Sequence, residues 1–398
     1  MSSLNEVEPA GPGAAVTPDD PYLHEYFSRF SPSISAPQAP LRVAFLVGSL
    51  SISGGTYVIL QHAHYLMRQG VEVTLLVKFP APGDDHVWHP ALRDLPSYAL
   101  KDAPESLEFD LAIATFWRTV YALPKVRSRH YAYLVQSIES RFYAGTEDAE
   151  AVPLAELTYT FDLPVITITH WMQAYLALRH RRPAFLVRNG IRKEIYASVG
   201  PRLAVDPDRP FRVLLEGAVD VGMKNIPASV AVARAAGADE VWLLTPSAVT
   251  EVDGVDRVFS QVPIEETSVI YRSCPVLLKL SLVEGMYGPP LEMFHCGGTV
   301  VTNDVTGSDE YVRDGENGLV VPTHDDAAAV AALRRLKDEP ELLARLRAGA
   351  LRTARHWPDW DHSSEEFWDV VRTIAEQPEP DSLATILAIR SAGVDLGM

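Results

Sequence analysis

The chain has 398 residues, 47% apolar and 22% charged, with a formal net charge of −17. That length exceeds what one hydrophobic core usually supports and predicts two domains of about 150–200 residues each; the composition is that of an ordinary globular enzyme, and the acidic excess without a long basic run argues against a nucleic-acid partner. Two cysteines, Cys274 and Cys296, suit a reducing cytoplasm and exclude a disulfide framework.

Residues 1–40 are rich in Pro, Ser, Gly and acids and read as a flexible leader, with "YLHEYFSRF" as the part that orders against the body. The leader lacks the basic and apolar regions of a signal peptide, and no apolar run in the chain nears the ~18 residues that cross a bilayer. A soluble, cytoplasmic protein is expected, with peripheral membrane contact left open.

From "LRVAFLVG" onward the sequence alternates short β-branched runs with helix-length segments. A Gly-rich turn, "SLSISGGT", leads into a helix expected over Tyr57–Gln69, then the strand "VEVTLLV" follows, which makes a βαβ unit. Further strands are expected at "FDLAIATFW", "HYAYLVQS", "PVITITH" and "AFLVRNG". Such alternation predicts an α/β domain with a parallel, doubly wound sheet covered on both faces, here spanning 41–200.

The Pro-rich stretch 197–210 reads as an interdomain linker. A second series, "FRVLLEG", "EVWLLTP", "DRVFSQ", "PVLLKLS", "GTVVTND" and "GLVVP", predicts a second doubly wound domain over 201–362. The helices of 363–398 are expected to cross back onto the first domain, with Ser363 and Glu366 at capping-box spacing.

In doubly wound sheets, ligands lie beyond the carboxyl ends of the strands, against helix N-termini. The stretch "KLSLVEGMYGPPLEMFHCGG", residues 279–298, has that placement. A strand ends in a loop bearing Glu284, and Pro289–Pro290 start a helix that carries Glu292. Gly285 and Gly288 let the backbone approach a ligand, and the helix N-terminus offers amides and a partial positive charge to an anion. Acceptor carboxylates beside anion-binding amides suit a molecule that is both phosphate and polyol, such as a nucleotide sugar. The bland alternative is a helix-dipole acid and a solvated loop acid.

This stretch resembles the E-x7-E signature of the retaining GT-B glycosyltransferases of family 4. The resemblance implies two Rossmann-like domains facing a central cleft, a hydroxyl acceptor bound by the first and a nucleotide-diphosphate sugar by the second, with no metal or other cofactor. It runs from about residue 41 to 375. "SGGT" before a helix and "RQGVEVTLLV" look like the family's first glycine loop and second strand, which implies that Gly54 and Gly55 contact donor phosphate or acceptor. "VITITHWMQAYL", "FLVRNGI" and "TNDVTGSDEYVRDGENGLVVP" look like later family segments in the right order. "YLVQSIESRFYAG" resembles a segment of the bacterial polysaccharide rhamnosyltransferase branch: Gln136, Glu139, Phe142 and Tyr143 match it, whereas Ser137 and Ile138 depart.

By this resemblance Glu284 lies near the donor sugar and Glu292 on the ribose, and Lys224 in "LLEGAVDVGMKN" faces the diphosphate. Ala218 stands where the family usually has an Arg, so Lys279 is the candidate for the missing cation. The expected site is then Glu284 and Lys224 as catalytic residues; Gly54, Gly55, Gly285, Met286, Tyr287, Gly288, Glu292 and Lys279 around the donor; and Gln136 and Glu139 on the acceptor side, with Glu139 or His130 the candidate bases. The acceptor class stays open between a glycan, a lipid-linked glycan and a small molecule. A nucleotide-sugar epimerase or hydrolase of the same fold, and a binding protein without turnover, are the alternatives.

Several other features read as structural. "DWD" at 359–361 follows a Pro in a helical region rather than a strand end, and His86 and His89 lack further metal ligands. Tyr22, Tyr26, Phe27, Trp117 and Trp171 are candidates for an acceptor cleft, with the core as their plainer place. No G-x-G-x-x-G follows the first strand, and no P-loop is present.

Overall fold

Runs of Val, Ile, Leu and Ala without charge become strands buried on both faces, as parallel sheets require. In the computed structural model, which describes residues 40–81, 87–208, 210–378 and 382–395, these runs form two separate sheets. The first contains β1 (Arg42–Val47), β2 (Glu72–Val77), β3 (Ser97–Ala99), β4 (Phe109–Ala114), β5 (Ser128–Val135), β6 (Val165–Thr167) and β7 (Ala184–Leu186). Its order is β3-β2-β1-β4-β5-β6-β7. The second holds β8 (Arg212–Glu216), β9 (Glu240–Thr245), β10 (Arg257–Ser260), β11 (Val276–Lys279), β12 (Thr299–Asn303) and β13 (Gly318–Val321), in the order β10-β9-β8-β11-β12-β13.

All neighbouring strands are parallel. Each domain is therefore doubly wound, with its strand order reversing beside the first strand of the series. That reversal leaves a crevice at the carboxyl ends of the strands. The short edge strand β3 was not expected from the sequence; two of its three residues are exposed, so it carries no apolar run to read.

Two helix starts differ from the sequence reading. The first helix runs Gly54–Arg68, because the Ser53 side chain accepts from the Thr56 amide and fixes the start three residues before Tyr57. The return helix runs Trp360–Ala375 with Asp359 as its cap, accepting from the His362 amide, so Ser363 lies inside the helix and its hydroxyl donates to the Arg188 carbonyl.

That return helix belongs to the first domain's core. Phe367 and Val371 are fully buried there with Ile374 and Ala375. Phe367 stacks on His62 at 4.2 Å and on Phe45 at 6.1 Å between ring centroids. The crossing is tight: a Cβ on Gly190 would collide with the backbone of Asp359 and Trp360, and Trp357 Nε1 donates to the Asn189 carbonyl at 2.9 Å. Ile389 of the helix Ser382–Asp395 reaches the same core. Among the described residues, no helix is long and apolar enough to cross a membrane. Tyr22, Tyr26, Phe27 and His86 lie outside the described residues.

Candidate active site

The two sheets turn their carboxyl ends toward one cleft of about 850 Å³, lined by residues of both domains. From the first domain come the loop after β1, the start of the Gly54–Arg68 helix, the loop after β5 and the turn Asn189–Arg192; from the second come the loops after β8 and β11. Trp171 Nε1 donates across the gap to the Gly285 carbonyl at 3.0 Å. Met286 lines the cleft and packs against core residues of both domains.

The floor of the cleft is an ion cluster. Lys224 Nζ donates to Glu284 Oε1 at 2.8 Å, and Lys279 Nζ lies 3.8 Å from the same oxygen. Lys279 also donates to Glu216 Oε2 at 2.6 Å and to the Glu216 carbonyl at 3.0 Å. The sheet makes this pairing: β8 and β11 are neighbours with Leu215 opposite Leu278, so the next residues, Glu216 and Lys279, end side by side. Burial would push Glu284 up, but the ammonium groups of Lys279 and Lys224 outweigh it and hold the carboxyl below its usual value. Burial works on Lys279 in the opposite sense, and the Glu216 and Glu284 carboxylates overcome it, leaving the lysine raised. Both groups are therefore charged near neutral pH.

Glu292 sits in the helix Gly288–His295, close to Tyr271 and Tyr196. Burial pushes it up to about 7, with the nearby Glu216 adding to the rise. It is thus poised between a donor and an acceptor of hydrogen bonds at neutral pH.

The glycines have unlike roles. Gly54 and Gly288 have open space where a Cβ would stand, and both line the cleft. Gly55 faces the Gln136 side chain, whose amide would lie 3.6 Å from an added Cβ. Gly285 lines the cleft too, but a Cβ there would collide with the Gln136 carbonyl of the other domain. The lack of a side chain at this position thus also serves the contact between the domains.

Other expected residues lie beneath the site. The Tyr287 side chain is fully buried, its hydroxyl 2.8 Å from both the Lys279 carbonyl and Thr302 Oγ1, so it props up the floor and does not itself line the cleft. Glu139 lines the first-domain wall, yet its Oε2 accepts from the Trp117 amide at 2.6 Å and the Tyr133 hydroxyl at 3.0 Å. Burial raises it to about 8, and those two donors fix it as a support for the loop after β4. His130 is corrected as a candidate base: it is buried within β5, well short of that strand's carboxyl end, and does not line the cleft. Asp361 pairs with Arg68 at 2.6 Å, and His89 Nδ1 accepts from the Ala91 amide at 3.2 Å. Trp117 is core.

Sequence reasoning missed Glu216, Arg192 and Trp360, which also line the cleft. The position of Glu216 at a strand's carboxyl end, just before Gly217, was the available signal. Both cysteines are buried, and burial pushes Cys296 up to about 12, so neither thiol is primed as a nucleophile.

Residues 242–353 match the family model described as "Glycosyl transferases group 1". Among curated proteins, D-inositol 3-phosphate glycosyltransferase of Thermomonospora curvata is 39% identical over 100 residues, 25% of this chain and 23% of that one. The O-antigen biosynthesis protein RfbC of Myxococcus xanthus is 29% identical over 249 residues, 61% of this chain and 19% of that one. The matches thus span less than a quarter of the length of these relatives. Among solved structures, sucrose-phosphate synthase from Thermosynechococcus elongatus superposes with a TM-score of 0.69 at 19% identity, covering 83% of this chain and 98% of that one. Anabaena HepE in complex with UDP-glucose gives 0.65 at 13% identity, covering 83% and 99%. At such identities the likeness is one of fold. The chain accordingly has the two-domain GT-B fold of these glycosyltransferase structures, and its second domain carries the match to glycosyl transferases group 1.

Proposed function

We propose that the protein is a retaining glycosyltransferase that moves a sugar from a nucleotide-diphosphate sugar onto a hydroxyl of a glycan, a lipid-linked glycan or a small molecule. The observation that carries this reading is the convergence of Lys224, Lys279 and Glu284 on the floor of a cleft that both domains line. The names of the relatives and the UDP-glucose in a neighbour of the same fold support it.

Breaking a sugar–diphosphate bond builds positive charge on the ring and negative charge on the leaving phosphate. Groups fixed where that charge develops stabilise the transition state more than the bound substrate. Lys224 is the group for this: it is part-exposed and, among the described residues, held only by Glu284, so its ammonium can reach a phosphate without leaving the carboxylate's field. Lys279, where Ala218 provides no arginine, holds the electrostatic balance from below. The positive end of the helix Gly288–His295 points to the same side and acts through its dipole, because Pro289 and Pro290 carry no N–H and the Gly288 amide donates to the Met286 carbonyl. Glu284 orients the donor sugar. Glu292, raised by burial, is relieved by the two hydroxyls of a ribose.

Retention in this scheme is a same-face reaction, with the leaving phosphate taking the acceptor's proton, because Glu284 is engaged by two lysines. Metal independence is part of the proposal, since two lysines and a helix terminus supply the positive charge; turnover should survive EDTA.

A thermal-shift panel of UDP, GDP, ADP and dTDP with their sugars tests the donor class, because a ligand bound to the folded state raises its stability. One nucleotide should stabilise the protein, and its sugar should slowly release free nucleotide diphosphate even without acceptor. No shift with any nucleotide and no release from any donor would overturn the proposal.

A further inference from the structure

Beyond the ion cluster, three cations from three separate segments of the first domain lie beside the cleft wall, next to residues that line it rather than in the lining itself. Lys78 follows β2, Arg118 lies in the short helix Trp117–Val120, and Lys125 ends the turn Leu123–Lys125. They adjoin the cleft through its lining: Phe79 donates its amide to the carbonyl of Gly48 at 2.8 Å, and Gly48 and Phe116 both line the cleft wall. The Arg118 guanidinium lies 4.9 Å from the Trp117 ring centroid and 6.0 Å from that of Phe79, and Lys78 Nζ lies 5.4 Å from Phe79.

Among the described residues, no carboxylate pairs with Lys78, Arg118 or Lys125. Arg118 Nε is buried and makes no hydrogen bond. Burial, then Lys125 and Arg118, lower Lys78 from its ordinary value, so the three repel one another. In a chain with a net charge of −17, three neighbouring cations without an acid among the described residues are not a solvated face of the usual mixed kind. A buried arginine donor left unpaired is costly unless a ligand completes it. A multiply charged anion with several acceptor oxygens would relieve all three at once, and a phosphate or diphosphate group matches the guanidinium fork and the two amines.

We propose that Lys78, Arg118 and Lys125 form a phosphate-binding rim, so that the acceptor carries a phosphate or diphosphate group beside the hydroxyl that receives the sugar. This rests on the transferase reading for the word acceptor, though the binding of phosphate does not. Two sources share this chemistry: a soluble phosphorylated acceptor and a lipid headgroup. The exposed side chains of Ile52 and Phe79 beside the rim, 65% and 42% accessible, would suit the second.

The test uses the full chain and an Arg118→Gln/Lys125→Gln double variant. Both lie outside the ion cluster, so nucleotide-induced thermal shifts and donor hydrolysis should match wild type. Inorganic pyrophosphate is titrated calorimetrically in a Lys224→Met background, which weakens the donor phosphate site and isolates the rim. In a parallel arm, wild type and the double variant are sedimented with phosphatidylglycerol vesicles and with phosphatidylcholine controls. Loss of at least tenfold in pyrophosphate affinity on adding the double substitution assigns a soluble phosphate group. A matching loss confined to phosphatidylglycerol vesicles assigns a headgroup. Unchanged binding in both arms, or no binding of either probe by the parent proteins, overturns the rim. Absence of any nucleotide shift in wild type would sink the transferase reading while leaving the pyrophosphate and vesicle results to stand alone.

Discussion

Lys224 and Lys279 touch the same carboxylate oxygen, yet replacing each by Met should have opposite consequences. Lys279 is 2% exposed and bridges Glu216 at 2.6 Å and Glu284 at 3.8 Å. Lys279→Met leaves Glu216 without its buried counter-charge and Glu284 with Lys224 alone, and breaking such a buried pair costs about 3–5 kcal/mol. The side chain of Lys224 is 28% exposed and has one partner among the described residues, Glu284, which keeps Lys279. A charged hydrogen bond of ~1.5–3 kcal/mol, discounted for solvent, leaves roughly 1 kcal/mol for Lys224→Met. Turnover should rank the other way for Lys224: losing a donor aimed at developing negative charge costs ~10²–10³ in rate. Urea denaturation followed by tryptophan fluorescence measures the first quantity, and release of nucleotide diphosphate from the donor sugar measures the second. The reasoning fails if Lys224→Met destabilises as much as Lys279→Met, or if it turns over at the wild-type rate.

Three further outcomes can be checked separately. Phe367→Ala should cost about 3–5 kcal/mol in urea melts of the first domain, because the return helix contributes that fully buried ring to the core of the first sheet; a change under 1 kcal/mol would mean the helix is merely laid on the surface. Gly285→Ala places a methyl on the Gln136 carbonyl and should lower turnover at least tenfold by prising the domains apart, with an unchanged far-UV spectrum and a larger radius of gyration in solution scattering. Acid should weaken the protein in two steps. Burial holds His62 down to about 3, so the stability it gives as a neutral ring is present above its unfolded value near 6.5 and is lost as pH falls toward 3. Glu284, buried but held low by Lys279 and Lys224, gives stability present above its unfolded value near 4.5 and lost below it. His62→Leu should flatten the melting temperature between pH 6.5 and 4, and Glu284→Gln only below about 4.5; identical profiles for both variants and wild type would remove these groups as the cause.

The sequence alone determined the two doubly wound domains. Continuous apolar strands and capped helices report burial through local periodicity, and that information lies within a few neighbouring residues. For the same reason the acid-flanked loop at 284–292 was legible, since a strand end, two glycines and a Pro-started helix follow one another in the chain. Elsewhere local signals misplaced details, since Ser53 and Asp359 took the caps, and they gave no sign that Gly285 also meets the opposite domain. What only the tertiary structure decided was which groups meet through space. Lys279 pairs with Glu216 because β11 lies beside β8 in that register, although 62 residues separate the two positions. His62 meets Phe367 because the chain returns across the first domain, and Lys78, Arg118 and Lys125 gather because β2 and β4 flank β1 in one sheet. Charge acts over ångströms of space and not along the chain, so pairings of this kind follow from sheet order and register, which no local pattern of residues encodes.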